Sequence, residues 1–139
     1  MTGDNSTFQK NPNIFILKKA LINKTITKLQ FDVYMVLLNI PAGKVTTYKN
    51  IANIVKCNSS RAIGQALRRN PFAPDVPCHR VVKSDLTLGG FSGSTGNKTV
   101  ERKLKILQSE GVEFQPLKDK KLEIYHTKVK EEHIWKQST

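Results

Sequence analysis

The sequence has 139 residues, enough for one domain with a modest hydrophobic core and little more. Its 23 Lys and Arg residues against 11 Asp and Glu give a formal net charge of +12. Such a chain attracts polyanions, nucleic acids among them. No apolar run is long enough to cross a bilayer, and the polar amino-terminus lacks the apolar stretch of a secretory signal. We therefore expect an intracellular protein with no membrane partner.

The cysteine content predicts free thiols and no metal site. Cys57 and Cys78 are the two cysteines, and a single disulfide between them would be unusual in a reducing compartment. The sequence has no CxxC and no His/Cys cluster with the spacing of zinc ligands. We expect neither a metal nor a cofactor.

The amino-terminal 26 residues are interpreted as an extension that is partly disordered. Residues 1–13 are polar and rich in Asn, Thr and Ser, a composition that predicts disorder. The segment from Ile14 to Ile26 is apolar with scattered lysines, and fits a strand or a short helix equally well.

A helix is predicted to begin at Thr27. Thr27 and Gln30 have the spacing of a capping box, in which a hydroxyl and an amide satisfy the free backbone donors of a helix start. Pro41 and Gly43 end this helix. One apolar face follows at helical spacing: Phe31, Tyr34, Met35 and Leu38.

Two shorter helices and a polar turn come next. After an extended link over Val45 to Thr47, Thr47 caps a helix from Tyr48 to about Lys56. Asn58, Ser59 and Ser60 form the turn, and any of them can cap the following helix, about 60–69. The apolar residues predicted to face inward are Ile51, Ala52 and Val55, then Ala62, Ile63, Ala66 and Leu67. The arrangement predicts a helix-turn-helix.

The remainder combines an extended stretch, a loop and one more helix. Asn70-Pro71 ends the helix over 60–69, and Pro74 and Pro77 keep the chain extended before the short apolar run Val81-Val82. The segment 88–96 is rich in Gly and Ser, which suits a loop that approaches a ligand closely. Asn97 is predicted to cap a helix that runs to about Glu110.

The carboxyl-terminal helix has a clear inward face and stop signal. Val100, Leu104 and Leu107 are predicted to point inward, and Gly111 to end the helix. A small hairpin over 112–125, turning around 118–121, is predicted to follow.

The candidate reactive residues of the sequence lie in the segment around Cys78. Cys78 is followed by His79 and Arg80, a positive and proton-accepting neighbourhood that favours the thiolate form. A free cysteine is also commonly a small core residue. Adjacent residues of an extended chain point to opposite faces, so the order alone does not imply a hydrogen bond between Cys78 and His79.

The order of these features resembles the carboxyl-terminal domain of the O6-alkylguanine-DNA alkyltransferases. Tyr48 opens the helix-turn-helix, Arg61 opens its second helix, and Pro77-Cys78-His79-Arg80-Val81 follows Arg69-Asn70-Pro71 at the family's distance. The resemblance extends from about Leu29 to Phe114. It implies a mainly α fold with short β elements, a winged helix-turn-helix-like DNA-binding domain.

The resemblance also implies roles for particular residues. Cys78 would accept the alkyl group from O6 of guanine in one turnover. His79 would relay the thiol proton through a water, while Glu110 accepts a hydrogen bond from the imidazole. Tyr48 would donate to the departing guanine, and Asn70 would brace the turn that carries the cysteine.

In such proteins the second helix of the motif lies in the minor groove of duplex DNA, and the damaged base is flipped out. Arg61 would fill the space left in the stack, with Lys44 and Lys49 among further phosphate contacts. The residues expected to bind DNA are Arg61, Ala62, Gly64, Arg68, Arg69 and Arg80. Those expected to wall the base pocket are Gly90, Phe91, Ser92 and Gly93.

The expected organisation is an extension over residues 1–26, a catalytic and DNA-binding domain over 27–116, and a hairpin or tail over 117–139. Only about thirty residues precede the first predicted helix, so we expect the amino-terminal domain that many family members carry to be absent or vestigial, and the zinc site of some relatives to have no counterpart. Phe91 stands where the family usually has Tyr. We expect a monomer, nuclear in a eukaryote and otherwise cytoplasmic.

Three other classes of protein compete with this interpretation. Alkyltransferase-like proteins share the domain and bind damage, but they replace the reactive cysteine, which this sequence keeps as Cys78. A helix-turn-helix transcription factor reads the major groove, whereas the small residues around Gly64 favour a closer approach. A cysteine protease would require a family signature that the sequence lacks.

Overall fold

The computed structural model describes residues 12–88, 97–116 and 127–136. Among these residues, no helix is both long enough and apolar enough to cross a membrane. Short 3-10 turns lie at Cys78–Arg80 and Glu131–His133. The helices and strands are α1 Pro12–Ile22, α2 Lys28–Leu37, β1 Thr46–Thr47, α3 Tyr48–Val55, α4 Ser60–Arg68, β2 Val81–Val82, α5 Asn97–Ser109, β3 Phe114–Pro116 and β4 Thr127–Val129.

The apolar segment that fitted either a strand or a helix forms helix α1. Ile14, Leu17 and Ala20 are buried at intervals of three residues, which places them on one face of a helix, and this face packs on α2. Lys24 takes a left-handed conformation with φ 61° just after the helix ends. The predicted disorder concerns residues 1–11, outside the described ranges, while Pro12 and Asn13 already belong to α1.

Helix α2 begins with the predicted capping box. Thr27 Oγ1 accepts from the Gln30 backbone N–H at 3.1 Å, and Gln30 Oε1 accepts from the Thr27 N–H at 2.8 Å. The predicted apolar face was partly wrong, because the buried residues are Val33, Tyr34, Val36 and Leu37, with Phe31, Met35 and Leu38 only partly buried. Helix α2 packs against α1, α3 and α4, so more than one of its faces is covered.

Helices α3 and α4 form the predicted helix-turn-helix. Thr47 caps α3, and Ser59 is the one of the three polar turn residues that caps α4, accepting from the Ala62 N–H at 3.0 Å. The Tyr34 hydroxyl donates to the Ala66 carbonyl at 2.6 Å. This buried hydrogen bond fixes α4 against α2.

Two short pairs of strands complete the fold. β1 and β2 are parallel, with Thr46 opposite Val81, and β3 and β4 are antiparallel, with Phe114 opposite Val129. The second strand begins at Thr127, beyond the predicted hairpin over 112–125, and the predicted turn at 118–121 lies outside the described residues. The predicted class, mainly α with short β elements around a helix-turn-helix, is confirmed.

The carboxyl-terminal segment contributes to a second, smaller core. The main core lies among α1 to α4, whereas Val45, Val82, Leu107 and Val129 are buried together beside β3 and β4. The Val45 N–H donates to the His133 carbonyl at 2.9 Å. Residues near the end of the chain thus hold the strand that leads into α3.

Candidate functional site

Cys78 occupies the first position of a 3-10 turn immediately before β2. Its side chain is buried, with 9% of the residue exposed. Asn70 braces the segment leading to it, because Nδ2 donates to the Val76 carbonyl at 2.8 Å and Oδ1 accepts from the Phe72 N–H at 2.8 Å. The cysteine therefore sits on a backbone tied to the end of α4.

Burial raises the pKa of the Cys78 thiol, and it outweighs a hydrogen bond from Asn70 and the positive charge of Lys103, which both lower it. The prediction that the neighbourhood favours thiolate was thus wrong for the resting protein, because desolvation penalises the charged form. A base has to remove the proton before the sulfur becomes a strong nucleophile.

His79 is placed to act as a base. It is buried, and its Nε2 lies 2.9 Å from Glu110 Oε2. Burial lowers the pKa of His79, although Glu110 acts in the opposite direction. Because Nε2 donates to the carboxylate, Nδ1 of the neutral ring is left as the nitrogen that accepts a proton.

Glu110 is kept ionised by its neighbours. Burial alone would raise the pKa of this carboxyl, but hydrogen bonds from Arg80 and His79 lower it below its ordinary value. Arg80 donates from Nε to Oε1 at 3.0 Å and from Nη2 to Oε2 at 2.8 Å, a bidentate pair.

Arg80 was predicted to contact DNA, but its guanidinium points into the protein. Besides the two bonds to Glu110, Nη1 donates to the Ile40 carbonyl at 2.7 Å, and the side chain is only 17% exposed. This geometry favours a positioning role for Arg80 through Glu110 over a phosphate contact.

The end of α5 places the Glu110 carboxylate. Gly111 has φ 95°, a left-handed conformation that costs glycine nothing. The Gly111 N–H donates to the Gln108 carbonyl and the Val112 N–H to the Leu107 carbonyl, both at 3.0 Å. This pairing is a Schellman motif, and it fixes the turn that carries Glu110 beside His79.

Lys103 is a site residue that the sequence interpretation missed. It is 1% exposed, and its Nζ donates to the Val81 carbonyl at 2.7 Å. Burial lowers the pKa of Lys103 to about 8, while the nearby Cys78 acts to raise it. The sequence did contain an indication of this burial. Lys103 lies four residues before Leu107, on the inward face of α5, and a lysine rarely occupies such a position without a partner.

Tyr48 lies near the thiol. It is the first residue of α3, directly after β1, whose parallel pairing with β2 brings this helix start to the chain that follows Cys78. Burial raises the pKa of Tyr48, and the charge of Cys78 raises it further. The phenol is therefore protonated at neutral pH and can donate. The predicted pocket wall, Gly90, Phe91, Ser92 and Gly93, lies outside the described residues.

Helix α4 presents an open surface with arginines at both ends. Arg61, Arg68 and Arg69 are exposed. Ala62 and Gly64 are half-buried, and a Cβ built on Gly64 would meet no atom within 4 Å. Packing within the fold therefore does not explain the glycine.

The predicted phosphate contacts away from α4 differ in their surroundings. Lys49 is exposed on α3. Lys44 instead donates from Nζ to the Glu132 carbonyl at 3.0 Å, so it is tied to the carboxyl-terminal segment.

Glu113, Glu132 and His133 bring three possible metal-ligand atoms within 4.8 Å of one another. However, His133 Nε2 accepts from the Glu113 N–H at 3.1 Å, and Nδ1 lies 3.1 Å from the Gly43 carbonyl, to which it donates. Both ring nitrogens are thus engaged within the protein. The arrangement joins the carboxyl-terminal segment to the loop before β1.

The chain matches the model of a known family and several known proteins. The family is described as 6-O-methylguanine DNA methyltransferase, DNA binding domain, and the match covers residues 28–112. A methylated-DNA–protein-cysteine methyltransferase of Candida glabrata is 46% identical over 94 residues, which are 67% of this chain and 43% of that protein. The protein of the same name from Sulfolobus acidocaldarius is 38% identical over 122 residues, 82% of this chain and 74% of that one.

Solved structures show the same likeness. Schizosaccharomyces pombe Atl1, in complex with damaged DNA containing O6-carboxymethylguanine, gives a TM-score of 0.65 at 31% identity, covering 81% of this chain and 98% of that chain. Mycobacterium tuberculosis OGT in complex with DNA gives a TM-score of 0.56 at 36% identity, covering 62% of this chain and 50% of that one. This chain thus spans less than half of the Candida glabrata relative but nearly all of Atl1. With a family match over most of its length, the chain belongs to the 6-O-methylguanine DNA methyltransferase family, of which it carries the DNA-binding domain.

Proposed function

We propose that this protein repairs DNA by transferring an alkyl group from O6 of guanine to the sulfur of Cys78, in a single turnover. The observation that carries the proposal is the buried chain of contacts in which His79 bonds to Glu110 and Glu110 to Arg80, directly beside a buried cysteine. The names of the relatives from Candida glabrata and Sulfolobus acidocaldarius support the same reaction.

The reaction balances with protein groups alone. His79 Nδ1 takes the thiol proton of Cys78 through a water, and the positive charge of Lys103 stabilises the thiolate. The sulfur then attacks the alkyl carbon, so that an S–C bond forms as the C–O6 bond breaks. The departing guanine takes a proton from the Tyr48 hydroxyl, and protonated His79 returns a proton to Tyr48. The net result is a thioether on the protein and an unmodified guanine.

Access to the base would come from helix α4. We propose that α4 enters the minor groove of duplex DNA, where the small residues Ala62 and Gly64 allow a close approach, while Arg61 occupies the space of the flipped guanine. Arg68 and Arg69 would contact phosphates. Solved complexes of Atl1 and of the Mycobacterium tuberculosis OGT with DNA support a DNA-binding role for this fold.

A second candidate function is recognition of damage without alkyl transfer. The similarity to Atl1 favours this second function, because that similarity covers 98% of the Atl1 chain. Alkyl transfer remains the better-supported proposal, because Cys78 is retained beside a histidine positioned as a base.

The deciding experiment is intact mass spectrometry after mixing the protein with duplex DNA containing O6-methylguanine. We expect the mass to increase by one methyl group per chain, with no increase in Cys78→Ala, and with Cys57→Ala behaving as the unsubstituted protein. An unchanged mass together with tight binding to the damaged duplex would instead support damage recognition.

A second experiment tests base flipping. Arg61→Ala is expected to slow transfer from duplex DNA much more than transfer from free O6-benzylguanine, because the free base needs no extrusion. Equal slowing of both reactions would contradict a flipping role for Arg61. Arg68→Ala serves as the matched control, with weaker duplex binding expected but no selective loss of the transfer step.

A further inference from the structure

Helix α1 carries an exposed apolar surface that neither the fold nor the proposed reaction uses. Among the described residues, the large hydrophobic side chains that are exposed all belong to this helix: Phe15 at 72%, Ile16 at 44% and Ile22 at 77%. The opposite face of α1, formed by Ile14, Leu17 and Ala20, is buried in the core. Exposed apolar side chains grouped on one short helix are typical of an interaction surface.

Two of the three exposed apolar side chains, Phe15 and Ile22, lie on one side of the helix. Phe15 and Ile22 are seven residues apart, which is two turns, so they project from the same side of α1. Lys18 and Lys19 follow Phe15 by three and four residues and therefore lie on this side too. The surface is apolar at its two ends and positively charged between them.

The charge of this surface is of one sign. Lys18, Lys19 and Lys24 are exposed, and the sequence has no Asp or Glu between Pro12 and Ile26. A second copy of the chain would place these lysines against each other, which disfavours self-association through α1. A partner helix with apolar residues opposite Phe15 and Ile22, and carboxylates opposite the lysines between them, is complementary in both respects.

We propose that α1 is a docking site for an acidic amphipathic helix of a partner protein. Apolar residues of that helix would pack along Phe15 and Ile22, and its carboxylates would face Lys18 and Lys19. Apolar residues two turns apart on one side of a helix can contact another helix that lies alongside it. A bilayer fits less well, because the main apolar face of α1 is already buried in the protein core.

The site is separate from α4, the helix proposed to enter the DNA groove. α1 packs on α2, lies outside the matched segment 28–112, and shares no residue with α4 or the Cys78 region. A partner on α1 would therefore bind without using a residue of α4 or of the Cys78 region.

The test uses the full chain and a fluorescent acidic peptide about 20 residues long, a length that can hold a helix in water. Its leucines are spaced two turns apart on one side, with glutamates between them. A peptide of the same design with lysines in place of the glutamates is the control. Fluorescence anisotropy is expected to give a Kd in about the micromolar range for the acidic peptide, and far weaker binding of the basic one.

Variants locate the binding on the chain. Phe15→Ser/Ile22→Ser is expected to weaken acidic-peptide binding about tenfold or more, with thermal stability and alkyl transfer unchanged. Lys18→Glu/Lys19→Glu should transfer the preference to the basic peptide. Lys105→Glu/Lys136→Glu changes the net charge equally at exposed positions elsewhere and is expected to leave acidic-peptide binding intact.

Four results would overturn the proposal. They are no acidic-peptide binding at about 100 µM, equal binding of the two peptides, full binding by Phe15→Ser/Ile22→Ser, and binding to phosphatidylserine vesicles but not to the peptide. A dimer in sedimentation velocity that Phe15→Ser/Ile22→Ser abolishes would likewise replace the acidic partner with a second copy.

Discussion

Arg80 and Glu110 are joined by two parallel hydrogen bonds, Nε to Oε1 at 3.0 Å and Nη2 to Oε2 at 2.8 Å. The same carboxylate accepts from His79 Nε2 at 2.9 Å. Arg80 therefore orients the Glu110 carboxylate, and Glu110 in turn orients the His79 ring. Its guanidinium is linked to His79 through two contacts, and its charge is directed into the protein.

Arg80→Ala is expected to slow alkyl transfer by about tenfold or more, because the pKa of Glu110 loses its main lowering influence and His79 loses its rigid partner. Duplex affinity and its dependence on salt should stay unchanged. Both are measured by anisotropy titrations over a range of salt concentrations. A decrease of about one in the salt slope would instead indicate a lost phosphate contact.

Glu110→Gln is expected to lower the transfer rate about 100-fold, measured by quench-flow with methylated duplex. Glu110 raises the pKa of His79 against the dominant effect of burial, so its removal lowers that pKa further. The acidic limb of the pH–rate profile should therefore move to lower pH. A limb that stays in place would show that another group titrates there.

Lys103→Met is expected to slow transfer, because the thiolate of Cys78 loses a nearby positive charge. A second expected effect concerns how the free energy of unfolding depends on pH. The pKa of Lys103 is about 8 in the fold against 10.5 ordinarily, so the unfolded chain holds more protons between these values. Stability of the unsubstituted protein consequently rises with pH across this window, by up to about 3 kcal/mol.

Urea unfolding at about pH 7, below the window of the lysine titration, and at about pH 9.5, within it, measures this effect. Lys103→Met should lack the increase. At pH 7 the variant avoids burying a charge but leaves the Val81 carbonyl without its donor, so we expect the two proteins to differ by less than about 2 kcal/mol there. Parallel pH dependences in the two proteins would refute a depressed pKa at Lys103.

Gly64→Ala is expected to raise the free energy of unfolding by up to about 1 kcal/mol, because alanine favours the helix and the added Cβ meets no neighbour. Gly64→Leu should retain the fold but weaken duplex binding about tenfold, by holding the helix away from the groove. Its transfer from free O6-benzylguanine should be normal. Unchanged duplex binding would place α4 outside the DNA interface.

Two tyrosines allow a matched comparison of structure and chemistry. Tyr34→Phe removes a hydroxyl that donates to the Ala66 carbonyl at 2.6 Å, and is expected to cost about 1–2 kcal/mol of stability with little change in transfer by the folded protein. Tyr48→Phe should do the reverse, slowing transfer with little loss of stability. Chemical denaturation and single-turnover kinetics on both variants check this, and normal transfer by Tyr48→Phe would remove it from the mechanism.

Local signals in the sequence predicted the elements that depend on local contacts. The capping box of Thr27 and Gln30, the helix caps Thr47 and Ser59, and the glycine stop at Gly111 all involve residues within five positions of one another. The inward face of α2 was predicted less well, because three helices pack on it and a single stripe does not describe that burial.

The candidate site depends on hydrogen bonds between residues that are far apart in the sequence, and a sequence pattern does not specify such contacts. Lys103 bonds to Val81 over 22 positions and Arg80 to Ile40 over 40. The sequence shows that these residues are charged but not that their charge is directed inward. The pKa of Cys78 was predicted in the wrong direction for the same reason, since burial depends on the packing of distant segments.

The packing of Trp135 gives the molecule an internal optical probe. It is the only tryptophan in the sequence, it packs against the main core, and its backbone N–H donates to the Val45 carbonyl at 2.6 Å. Val45 directly precedes β1 and hence the start of α3. Intrinsic emission therefore originates from one indole at this junction, so movement of the strand leading into the helix-turn-helix on DNA binding can be followed as a wavelength or intensity change without any label.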